Sequence, residues 1–304
     1  MGSYGAGLGQ IDGSFGLGSF GLALSPDETR LLVAEYFESI NARVVVADAR
    51  DGRSLRTLQG PAGTLVNPAD VAMVAHTGQV LVVDVERGLV VVFAGVDDDT
   101  VVRTLGDGRG PGPRQLSGPH VVAVLDEGDA VDRPVAVVAD TSNHRLSLFR
   151  VDDDTLLRHV GSAGAAPGQL NWPQSVSVVS SRLTGSDEAW LVVGDSDNHR
   201  VQVLTLLGVV VRVLAAGDGV GPLGNWLGGV TVCEATGEVL VSDSVNHRVV
   251  SWRLGDGGGC RVVCGTGEEG SGDGQFHWPM GLVTTSSGAL WVADCGYHRL
   301  CMFR

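Results

Sequence analysis

A chain of 304 residues with 43% hydrophobic content and 45 glycines can bury a large core, but its glycine and Val/Leu bias is one that helical proteins avoid. Its formal charge of -14, from 35 acidic against 21 basic residues, repels a phosphate backbone unless one face gathers the arginines, so nucleic acid is disfavoured as a partner. No stretch approaches the roughly 18 apolar residues of a membrane span, and residues 1–20 lack the basic start of a signal peptide, so a soluble, cytoplasmic protein is expected.

In chain order, valine-rich runs punctuated by Gly, Asp-Gly or Pro predict short strands joined by tight turns. Residues 11–59 hold Glu35, Asn41, Arg43 and the run Val44 to Val46. Residues 60–105 hold Val66-Asn67-Pro68, the segment Asp84 to Leu89, the triplet Asp97-Asp98-Asp99 and a strand over Val101 to Leu105. Residues 106–160 open on the glycine-rich Gly106 to Gly110 and continue through Gln115-Leu116 and Pro119 into a strand over Val121 to Leu125. An enlarged turn from Glu127 to Pro134 follows, then Asp140, Asn143, His144, Arg145 and a second triplet, Asp152-Asp153-Asp154. Residues 161–215 hold Gly168-Gln169-Leu170-Asn171-Trp172-Pro173, a strand over Ser175 to Val179, an enlarged turn from Ser180 to Glu188, and Asp195, Asn198, His199, Arg200. Residues 216–264 hold Trp226 and then Asp243, Asn246, His247, Arg248. Residues 265–304 hold Gly274-Gln275-Phe276-His277-Trp278-Pro279 and then Asp294, His298, Arg299.

One phrase thus returns about every 50 residues: an apolar strand ending in Asp, two variable residues, Asn-His-Arg, and another apolar strand. A second phrase, Gly-Gln-Phe/Leu-x-x-Pro, precedes it. In the first two units the phrases decay but keep their places. Together they resemble the NHL repeat over nearly the whole chain. The resemblance implies an all-β fold, a six-bladed β-propeller with four antiparallel strands per blade, in which radial stacking covers faces that a single blade cannot bury. The chain ends after the third strand of the sixth unit, so symmetry predicts that residues 1–10 supply the missing strand or that the native protein continues as a longer chain.

Each candidate for chemistry has a structural reading beside it. His144, His199, His247 and His298 stand one per blade, which separates them around the ring. The phrase is therefore expected to fix the second hairpin of each blade, with Asp accepting from backbone N–H groups, Asn taking a left-handed turn and Arg pairing with a carboxylate. His120, after Pro119, starts an innermost strand much as a zinc-binding histidine does in peptidyl-hydroxyglycine amidating lyases. The equivalent residues Ala69, Gln174 and Met280 supply no further ligands, so no metal and no cofactor are expected. The aspartate triplets read as solvated hairpin tips. Cys260 and Cys264 lie about 13 Å apart along one strand, too far for a shared zinc or a disulfide. Cys295 and Cys301 flank a turn and can approach each other, but free thiols are the simpler reading. With Cys233 the cysteines number five, which gives no disulfide framework and fits a reducing compartment.

Trp172, Trp226 and Trp278 recur just before the innermost strand of three successive units, on the face that also carries the Asn-His-Arg turns. Recurrence with the motif favours a packing wedge between blades; exposure would make them interface anchors. The expected function is a non-catalytic scaffold that binds a protein or peptide on a face including Trp172, Trp226, Trp278, His120 and His277. The alternatives are a calcium-dependent hydrolase or zinc lyase of propeller type, an RNA-binding domain if Arg109, Arg114, Arg200 and Arg248 form a basic patch, and a pure spacer if the tryptophans are buried.

Overall fold

The computed structural model describes residues 19–35, 42–126, 132–217, 220–255 and 259–303. Their strands form six antiparallel meanders. Blade 1 holds β1 (Ser19–Leu24), β2 (Arg30–Glu35), β3 (Arg43–Asp48) and β4 (Ser54–Leu58). Blade 2 holds β5 (Pro68–Met73), β6 (Val80–Asp84), β7 (Leu89–Gly95) and β8 (Asp98–Leu105). Blade 3 holds β9 (Pro119–Leu125), β10 (Val135–Asp140), β11 (Arg145–Arg150) and β12 (Leu156–Val160). Blade 4 holds β13 (Pro173–Val179), β14 (Trp190–Asp195), β15 (Arg200–Thr205) and β16 (Val210–Leu214), with a short helix α1 (Ser181–Thr184) in the enlarged turn between β13 and β14. Blade 5 holds β17 (Leu227–Cys233), β18 (Glu238–Asp243), β19 (Arg248–Arg253) and β20 (Arg261–Cys264). Blade 6 holds β21 (Pro279–Thr284), β22 (Leu290–Asp294) and β23 (Arg299–Phe303). The ring is a six-bladed β-propeller, as the repeat implies.

The second and third strands of each blade are buried at most positions because both of their faces meet neighbouring blades. β6 and β10 are buried throughout, and β2 and β3 at all but their first residue. This is the continuous pattern of strands covered on two sides, not the alternation of a half-solvated sheet. The apolar clusters accordingly span blade junctions: Leu214 of β16 packs with Leu227 of β17, and Phe276, which precedes blade 6, packs with Leu240 and Val249 of blade 5.

The first strands converge on the axis and are built from small residues. A methyl group added at Gly229 would stand 2.3 Å from the Met280 carbonyl oxygen, and one added at Gly21 would overlap the Asp70 carboxylate. Glycine is what allows these strands to approach. Blade 6 closes the ring against blade 1: Leu22, Leu31 and Val33 share a core with Met280, Trp291 and Leu300, and Glu28 accepts from the Ser286 N–H. Among the described residues blade 6 has three strands. Residues 1–10, the expected source of its fourth, lie outside the described residues.

Candidate binding face

The repeated phrase builds the face. Each Asp ends the second strand of its blade, a single 3-10 turn follows, and Arg starts the third strand. The left-handed residue is the histidine and not the expected asparagine: φ is 52° at His144, 52° at His199, 51° at His247 and 52° at His298. The asparagine amide instead donates to the aspartate, as Asn143 does to Asp140 at 2.9 Å and Asn198 to Asp195 at 2.9 and 3.0 Å. In blade 2, Gly88 takes the left-handed position with φ 65°.

The arginine reaches further than its own hairpin. Arg200 donates from Nε to Asp195 at 2.7 Å, and from its terminal nitrogens to the carbonyls of Ala165 at 2.8 Å and Gln169 at 3.0 Å, in the loop arriving from blade 3. Arg145 does the same to Asp140, Gly112 and Gln115, and Arg299 to Asp294, Ser271 and Gln275. The aspartate's other oxygen accepts the loop N–H of Ser117 at 2.7 Å, Asn171 at 2.6 Å, Gly224 at 2.9 Å or His277 at 2.6 Å. The phrase is thus a staple between consecutive blades, wider in reach than the single-hairpin role read from the sequence. It also occupies Arg200 and Arg248. Arg114 is held by Asp107 and Asp154, so three of the four arginines of the expected basic patch are already paired.

On this scaffold the tryptophans divide. Trp172 and Trp278 sit in left-handed backbone, φ 52° and 59°, and are 43% and 37% exposed. The packing wedge expected from recurrence does not describe them. The Trp172 backbone N–H donates to His144 Nδ1 at 3.2 Å, and the indole lies edge-on to that ring. Trp226 is half-buried and reaches over the axis: its ring lies 5.9 Å from His120 of blade 3 and 5.6 Å from Trp278 at the entrance to blade 6. Its indole Nε1 is buried with no hydrogen-bond partner among the described residues. A second aromatic group forms where His277 meets His247 at 5.9 Å and Tyr297 at 5.3 Å.

Below Trp226 runs the central channel, a cavity of about 210 Å³ walled by the six first strands. Burial there pushes the His120 imidazole down to about 4, so it is neutral at physiological pH. Asp70, which sequence reasoning passed over as one residue in an apolar strand, also lines the channel and accepts from the Val122 N–H at 2.9 Å. Burial pushes its carboxyl up to about 7. Among the described residues, no group of three or more His, Cys, Asp or Glu could hold a metal ion.

The remaining candidates lie elsewhere. Asp154 is no free hairpin tip: it takes the left-handed conformation, accepts from the Gly106 N–H at 3.0 Å and pairs with Arg114. All five cysteines are free thiols. Cys295 and Cys301 do not approach each other, because they pack into separate cores on either side of blade 6. Burial pushes Cys260 and Cys301 up to about 11.

Left-handed backbone costs a tryptophan about 1 kcal/mol or more, and glycine nothing. The equivalent position in blade 3 is Gly118 at φ 57°. Trp172→Gly should therefore leave the urea midpoint unchanged or raise it slightly; a loss above about 2 kcal/mol would show that the ring supports the fold.

No helix among the described residues is long and apolar enough to cross a membrane. No family model and no curated protein matches the chain. Solved structures do. Hydrazine synthase of Kuenenia stuttgartiensis is similar over 94% of this chain and 76% of its own, at 15% identity and a TM-score of 0.63. A protein of unknown function from Bacteroides thetaiotaomicron matches over 98% of this chain and 76% of its own, at 16% identity and a TM-score of 0.67. An auxiliary nutrient binding protein from Bacteroides ovatus matches over 100% and 72%, at 14% identity and a TM-score of 0.63. At these identities the likeness shows the propeller fold and nothing finer.

Proposed function

We propose that this propeller is of the NHL type and serves as a non-catalytic module that binds a protein or peptide across the face bearing Trp172, Trp226 and Trp278. The observation that carries this reading is the pair of exposed tryptophans held in left-handed backbone. The fold does not need a ring at that position, as Gly118 demonstrates, so the apolar surface and the strain call for a reason outside the fold. Tryptophans are the side chains most enriched among energetic anchors of interfaces.

A peptide is favoured over RNA because the chain carries a charge of -14 and most arginines of this face are already engaged by aspartates and loop carbonyls. A pure spacer does not account for two exposed tryptophans. A reducing, cytoplasmic setting suits the free thiols.

The test is to pan a displayed random-peptide library against the protein and to titrate the enriched peptides into wild type and the Trp172→Ala/Trp278→Ala double variant. The double variant should bind about thirtyfold more weakly, the loss of a hot spot, with its melting temperature preserved. Equal affinity for both proteins would remove this face from consideration.

A further inference from the structure

A second cavity, of about 580 Å³, lies between blades 4 and 5 on the side away from Trp172, Trp226 and Trp278. It exists because the turn between β13 and β14 is enlarged. Helix α1 brings Leu183 and Thr184 to the cavity edge, where blade 5 has only the tight turn at Thr236 and Gly237. Trp190, Val203 and Val211 of blade 4 and Leu254 of blade 5 complete an apolar lining.

Two cations stand in this apolar lining, Arg212 and Arg253, and among the described residues no acid joins them. Neither has a carboxylate partner among the described residues. Arg212 makes one long bond, 3.5 Å, to the Gly255 carbonyl. Glu238, opposite Arg253 in the sheet, is taken by Arg261 at 2.7 Å. Among the described residues, two guanidinium groups without a carboxylate partner thus stand at one apolar cavity. A guanidinium stays charged at any physiological pH and binds carboxylates through a planar fork.

The geometry points to a binding site for an amphipathic monocarboxylate: a small acid whose apolar body fills the space among Leu183, Trp190, Val203, Val211 and Leu254, with its carboxylate on Arg212 and Arg253. The volume is in the range that small ligands occupy, and an apolar wall with a few placed polar groups is the usual make-up of such sites. The site is independent of the tryptophan face.

The experiment is calorimetric titration of the whole chain with decanoate, decanol and decylammonium as probes. Decanoate should bind about tenfold or more tightly than decanol, and decylammonium weakest. Arg212→Gln and Arg253→Gln should each lower decanoate affinity about tenfold and leave decanol unchanged, the loss of a charged hydrogen bond. Val211→Trp, which fills the cavity from an exposed position, should abolish binding of both while the melting temperature holds. Equal affinity for decanoate and decanol, or binding that survives Val211→Trp, would overturn the assignment. So would a leucine-terminated pentapeptide with a free carboxylate that binds where decanoate does not, since the occupant would then be a protein C-terminus. The comparison of probes on wild type decides the matter even if a variant fails to fold.

Discussion

Asp195→Ala should destabilise the protein by about 3–5 kcal/mol in urea unfolding at neutral pH. The carboxylate is fully buried and accepts five hydrogen bonds from four donors: Asn171 N–H at 2.6 Å, the Asn198 amide at 2.9 and 3.0 Å to its two oxygens, Arg200 Nε at 2.7 Å and Gln202 Nε2 at 3.0 Å. Alanine would leave a largely buried guanidinium without its counter-charge and strand a backbone N–H of the loop between blades 3 and 4. Each orphaned polar group costs about 1–3 kcal/mol, and the charge costs more. Asp187→Ala, an exposed site in the enlarged turn, should stay within about 0.5 kcal/mol. A loss below about 1 kcal/mol at Asp195 would mean that the blades are held by their apolar junctions alone.

Asp70→Asn should act in the opposite direction, and only where the carboxyl would ionise. Asp70 titrates near 7 in the folded channel and from 3.8 when solvated. Below 3.8 both states hold the proton and the residue is neutral toward folding. As pH rises through that value only the unfolded chain ionises, and the native state loses relative stability until it too ionises near 7. The difference is worth up to about 4 kcal/mol. Asparagine keeps an acceptor for the Val122 N–H and cannot ionise. The gain from the substitution at pH 8 should therefore exceed its gain at pH 4 by up to that amount, read from denaturant midpoints at the two pH values. Equal effects at both would show that water reaches the carboxylate.

Much of this architecture is legible in the sequence, for a physical reason: whatever the ring needs at every blade is written several times. The strands of blade 3 and the Asp-Asn-His-Arg phrase can be placed by comparing copies. What a copy does not carry is the partner of each atom. The phrase reads as a hairpin lock, but Arg200 also reaches the loop from the previous blade, and the left-handed residue is His199, a type less associated with that conformation than asparagine. Features present once are harder still. Asp70 is a lone acid in an apolar strand, and its exposure to the channel follows from ring closure. Trp226 repeats a position yet departs from it, because a ring over the axis meets His120, more than 100 residues away in the chain. The cavity beside α1 takes its walls from two blades and has no motif.

The most direct test of the binding face is hydrogen exchange of the propeller with and without a panned peptide. Binding at the tryptophans should slow exchange in the loops entering β13, β17 and β21, at residues 165–172, 220–226 and 270–278, and leave the turns on the opposite side unchanged. Protection confined to that opposite side, or to the outer strands, would contradict the assignment of the tryptophan face.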